Sequence, residues 1–175
     1  TGASAMTNLA AFAHADAPLF LFHLLEFSGV DYELDVDEIN ARWRDPSNID
    51  GWGQLVMKHT GDVAEIVTAA PRSGVYRLMP DGTAEFVRVQ THRRTVERED
   101  EGFFLRITKP GDWFYEGADL GILITPGRLM TDEFELNDRA RAWIGAIHGH
   151  YQSHVPQGPQ AIASPVMELG NFKIL

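Results

Sequence analysis

The apolar positions change their spacing twice along the chain. Up to about residue 70 they cluster at helical intervals, from Gly74 to Thr125 they tend to alternate, and from Thr131 a helical interval returns. Residues 7–13 predict a short helix. Asp16 and Pro18 predict the start of the next one, because a proline in the first turn loses an N–H that had no partner there anyway. Gly29 predicts its end. Leu19, Phe20, Phe22, Leu24, Leu25 and Phe27 make this second helix apolar nearly all round, the mark of a helix buried in its own core or in a partner. Asp35 or Asp37 caps a shorter helix through Trp43, and Asp45-Pro46-Ser47-Asn48 reads as a turn. Asp50 opens a further helix-like stretch with Leu55, Val56, Val63, Ile66 and Val67 as its apolar positions, interrupted at Gly61-Asp62.

Period-two alternation predicts strands at 75–79 and 84–91 around Pro80-Asp81-Gly82, a strong hairpin turn. A second hairpin is expected from 93–97 and 103–108, flanking Glu99-Asp100-Glu101-Gly102, and a third pair from 113–115 and 120–125. An antiparallel sheet built this way has one face on the core and one on water or a ligand. Thr131, Asp132 and Glu133 then cap a long helix to about His154, with Leu136, Ala140, Trp143, Ile144, Ile147 and Tyr151 as its apolar stripe. The expected fold is α+β: about five to six hairpin-linked antiparallel strands, with N-terminal helices and one long C-terminal helix packed on the sheet. Residues 1–5 read as a cloning remnant, 6–154 as a single α+β domain, and 155–175 as an apolar, proline-interrupted tail.

Composition narrows this picture. The 175 residues are 44% hydrophobic and 23% charged, which excludes disorder of the whole chain. No apolar run approaches the ~20 residues of a membrane-spanning helix, so no membrane partner is expected. No basic region opens the chain as a signal peptide would. The absence of cysteine removes disulfides and thiol chemistry and fits a cytoplasmic location. A formal charge of −10 argues against nucleic acid as a partner. The charge is uneven: residues 1–70 carry three basic against eleven acidic groups, residues 71–175 twelve against fourteen.

Six groups of residues carry candidate chemistry or binding. Arg88, Gln90, His92 and Arg94 would share one strand face, joined by Arg106 from the next strand. Guanidinium forks there suit a small anionic ligand; the simpler account is a solvated face neutralised by Glu85, Glu97 and Glu99. His150 and His154, four apart on the expected helix, share a face that could hold a metal ion, with His148 at its edge and His23, Glu26, His59 and His92 as further ligands. Histidines near a helix C-terminus also complement the dipole, so a structural role is the expectation and no cofactor is assigned. His23 and Glu26 form a conceivable acid–base pair, or a satisfied buried histidine. Asp35, Asp37 and Glu38 lack calcium-loop spacing and fit helix capping. Trp113-Phe114-Tyr115 could line a pocket, but aromatics on strands are mostly core. In the tail, Val166, Met167, Leu169, Phe172, Ile174 and Leu175 are apolar without helical period, and 172–175 alternate like an added strand.

No convergent catalytic motif emerges, so the sequence leaves open whether the chain is an enzyme. The reading favoured is a non-catalytic interaction module or accessory subunit in a homo-oligomer or with a protein partner. The alternative is a small enzyme or ligand-binding domain for an anionic metabolite, metal-assisted through His150 and His154.

Overall fold

A computed structural model describes residues 5–14, 16–17, 19–46 and 51–157. It is a mixed α+β structure with antiparallel sheets. Among the described residues, the helices α1 (Ala5–Ala13), α2 (Leu19–Ser28) and α3 (Val36–Arg44) come first. Asp35 caps α3, its carboxylate accepting the Glu38 N–H at 2.8 Å. Gly29, at φ 67, ends α2 in the left-handed conformation that glycine adopts at least cost.

Strands then follow: β1 (Trp52–Lys58), β2 (Glu65–Ala69), β3 (Gly74–Leu78), β4 (Ala84–Arg88), β5 (Glu101–Arg106), β6 (Trp113–Phe114) and β7 (Asp119–Pro126). A 3₁₀ turn, Arg93–Thr95, separates β4 from β5. Helix α4 (Asp138–His148) and strand β8 (Gln152–His154) complete the described chain. A five-stranded sheet has the order β1-β7-β5-β3-β4 and a three-stranded sheet the order β6-β2-β8.

The β3–β4 hairpin forms as its turn residues predict. The Gly82 N–H closes the turn on Met79 O at 2.9 Å, and Gly82 takes φ 82, where a side chain would be strained. The other expected pairs do not form. Residues 93–97 hold a 3₁₀ turn and coil, β5 pairs with β3 and β7, and β6 pairs with β2. Residues 52–58 and 65–69, expected as helix, are strands: Leu55 and Met57 are buried while Gln54, Val56 and Lys58 are exposed, a period of two.

Both faces of the large sheet are covered around β5 and β7, where one wet face was expected. Leu55, Met57, Tyr76, Phe104 and Leu123 pack with Ala140, Trp143 and Ile147 of α4. On the other side Val75, Phe103, Ile122 and Ile124 pack with Ala13 of α1 and with Val96. The reason is in β7 itself: Ile122, Leu123 and Ile124 are apolar on both faces of the pleat, and all are fully buried.

The expected long C-terminal helix is an 11-residue one. Residues 131–136 instead fold back, with Met130 and Leu136 in an isolated bridge. Asn137 provides the cap, its side chain accepting the Ala140 N–H at 2.9 Å. At the other end the chain leaves the helix after His148 and turns into β8, which pairs with β2.

Candidate functional site

The arginine and histidine residues expected on one strand face do not share it. Strand β4 stops at Arg88, and His92 lies beyond it, capping the 3₁₀ turn by accepting the Arg94 N–H on Nδ1 at 3.3 Å. Arg88 stands opposite Val75, so it lies on the face that Val75, Phe103 and Val96 bury. There it donates to Thr95 O and, at 3.2 Å, to Glu101 Oε2. Arg77 binds the other oxygen of Glu101 at 3.0 Å, and the Glu101 side chain is only 4% exposed. Arg106 alternates with Leu105 and Ile107 and so lies on the opposite face, where its charge acts on Tyr76 and Tyr151. The sheet thus separates Arg88 from Arg106, and the Arg88 guanidinium already serves a buried carboxylate.

The three C-terminal histidines are likewise dispersed. His148 ends α4, His150 sits in the turn, and His154 is in β8 opposite Ile66. The His150 Nε2–H donates to Ala84 O at 2.8 Å, and its ring meets Tyr76 edge-on. Burial pushes the pKa of His148 down, and the nearby His59 lowers it further. The His59 ring stacks on Phe114 at 4.6 Å, and its buried Nε2 has no hydrogen-bond partner. Among the described residues no three histidine or carboxylate side chains come together as a metal-binding set.

His23 is exposed, in edge contact with Phe27 rather than buried beside a carboxylate. Glu26 instead accepts the Tyr32 hydroxyl at 2.7 Å. Trp113 and Tyr115 do border a cleft, of about 420 Å³, with Ile107, Thr108, Asp112 and Asp119; Phe114 points into the core. Two carboxylates and no cationic side chain line this cleft, so its charge does not suit an anion.

What stands out is the surface of α2. At about 100° per residue, Phe20, Leu24 and Phe27 fall within one narrow stripe. All three are exposed, Phe27 to 76%. Phe22 and Leu25, on the opposite side, are only half-buried. Apolar exposure continues through Val30 and Val36. Residues 19–38 carry the acidic groups Glu26, Asp31, Glu33, Asp35, Asp37 and Glu38 and contain no lysine or arginine. A second exposed apolar point is Phe134, 83% exposed and held at φ 62 in the 131–136 turn.

The tail residues Val166, Met167, Leu169, Phe172, Ile174 and Leu175 lie outside the described residues. Among those described, no helix is long and apolar enough to cross a membrane. Comparison with protein families, curated proteins and solved structures gives no match to this chain. The class stated by the fold is therefore as far as likeness reaches: an α+β protein with antiparallel sheets and an apolar helix on its surface.

Proposed function

We propose that this chain is a protein-interaction module, an accessory subunit that docks through the apolar stripe of α2. The observation that carries the reading is the exposure of Phe20, Leu24 and Phe27 at positions i, i+4 and i+7. A helix with such anchors is the complement of an apolar groove. Six acidic groups and no lysine or arginine within residues 19–38 favour a groove with a basic rim. The same charge disfavours a second copy of this chain as the occupant, since two such surfaces would repel. The anionic-metabolite reading has less support, because Arg88 and Arg106 lie on opposite faces of the sheet and Arg88 already binds Glu101.

The experiment compares the full chain with a Leu24→Glu/Phe27→Glu variant of unchanged circular dichroism. Each is used to capture partners from the source cells, and the captured protein is then purified and rebound. Support is one partner held by the native chain, released by the variant, and bound more weakly as salt rises. Equal capture by both chains overturns the reading. Self-association lost in the variant would make a second copy the occupant, and sedimentation of the isolated chain detects it.

A further inference from the structure

The end of α1 is pinned to the sheet through one histidine. The His14 Nε2–H donates to Gln54 Oε1 of β1 at 2.9 Å. On the other side of the ring, Arg93 Nε donates to His14 Nδ1, also at 2.9 Å. The Arg93 guanidinium lies over the Trp52 ring, 4.2 Å from its centroid. Just before His14, Ala13 is fully buried among Val75, Phe103, Ile122 and Ile124. Helix α2 follows directly and is tied back to α1 by the Phe20 N–H on Asn8 Oδ1 at 3.3 Å.

An arginine N–H can only donate, so Nδ1 must carry a lone pair and the imidazole must be neutral. A proton on Nδ1 removes that acceptor and sets an imidazolium against a guanidinium. The Gln54 bond survives, since Nε2 donates in either form. We propose that His14 is a proton-operated latch, which holds α1 and the apolar helix behind it on the sheet when neutral and releases them when protonated. The latch stands on the geometry of α1; its use in regulating docking rests on the reading of α2 given above.

The charges around the ring set the direction. The 3₁₀ turn contributes Arg93, with Arg94 beside it, and β1 contributes only uncharged Gln54 and Trp52. The loop after α1 contributes Asp16, itself ion-paired with Arg42 of α3. Burial lowers the His14 pKa from its ordinary 6.5 and Arg93 adds to this; the Gln54 bond and Asp16 act the other way. The net shift is downward, so the docked ring resists a proton that a released ring accepts. Release therefore takes up a proton as pH falls below about 6.5, and acid favours it.

Amide hydrogen exchange on the isolated full chain tests this between pH 7.5 and 5.0, with intrinsic rates divided out. Protection of residues 9–13 should fall with acid, by about tenfold for each unit by which docking depresses the His14 pKa. Residues 103–105 and 122–124 should keep their protection. In His14→Gln, which cannot take a proton, the profile of 9–13 should be flat. Ring ¹⁵N shifts of the native chain should show Nδ1 unprotonated at pH 7.5, titrating with the midpoint of the exchange change. That measurement decides the matter even if the variant undocks α1 at every pH. A flat native profile, an unchanged profile in a docked His14→Gln, or midpoints that disagree would each overturn the latch. Because no partner is present, such a failure leaves the docking surface standing; equal capture by the docking variant would remove that surface and leave the latch.

Discussion

Strand β7 and helix α2 are both dense in large apolar side chains, yet one is sealed and the other open. Leu120, Ile122, Leu123 and Ile124 are at most 1% exposed. In α2, Phe20, Leu21, Leu24 and Phe27 are all exposed. The difference is in what flanks them. Strand β7 has β1 and β5 as neighbours, α4 on one face and α1 on the other. Helix α2 packs on α1 through part of one side, and its other faces are exposed among the described residues. Apolar content measures the drive to be buried; burial itself needs surfaces on every side of the element. An apolar element left uncovered is a place for something else to bind.

The sharpest way to break this comparison is to hollow out the sealed side. Trp143→Ala removes a fully buried ring that packs on the sheet at Gly102. We expect a loss of about 3–5 kcal/mol in urea unfolding. Trp143→Phe should cost less, since the buried Nε1–H of Trp143 has no acceptor to lose. Glu101→Gln follows in size. It removes the charge that Arg77 and Arg88 share, and about 1.5–3 kcal/mol should go with it.

Acid should weaken the same side through His148. Its pKa is held below 6.5 by burial and then by His59, so the unfolded chain takes up the proton first. The native state is at full strength above about pH 6.5 and loses stability as pH falls through that value toward the lower native pKa. In His148→Gln the urea midpoint should fall less between pH 7 and pH 5 than in the native chain. The smallest effect is expected on the open side. Phe27→Ala should change the unfolding free energy by no more than about 0.5 kcal/mol, because a surface side chain has few contacts to lose. A larger loss would show that α2 is covered in solution, and sedimentation would then tell whether a second copy covers it.

Where the local signal was complete, the fold was legible. Pro80-Asp81-Gly82 predicted the β3–β4 hairpin, Gly29 the end of α2, and Asp35 the cap of α3. The apolar girth of α2 was legible too, though nothing in its own sequence said how much of it the rest of the chain would cover. His14 carried no signal at all: it is a single histidine after a short helix, and its two partners stand 40 and 79 positions away. The expected arginine face failed for a related reason. The alternation of residue types runs on to Arg94, but the strand ends at Arg88, and Arg106 falls on the other parity.

By itself, the sequence determined the mixed helix and strand composition, the turn and cap positions, and the acidic, cysteine-free surface chemistry. These depend on φ preferences, side-chain hydrogen bonds a few residues long, and charge, all of which act locally. Only the tertiary structure decided that 52–58 is a strand, that the last helix stops at His148, and which face each arginine occupies. Those outcomes follow from pairing across the chain. Strand β1 is fixed by its register with β7, from Trp52 opposite Pro126 to Met57 opposite Gly121. Strand β8 is drawn off the end of α4 by pairing with β2, 88 residues earlier at Ile66 and His154. Energies gained across such distances outweigh the fractions of a kcal/mol per residue that helix propensity contributes.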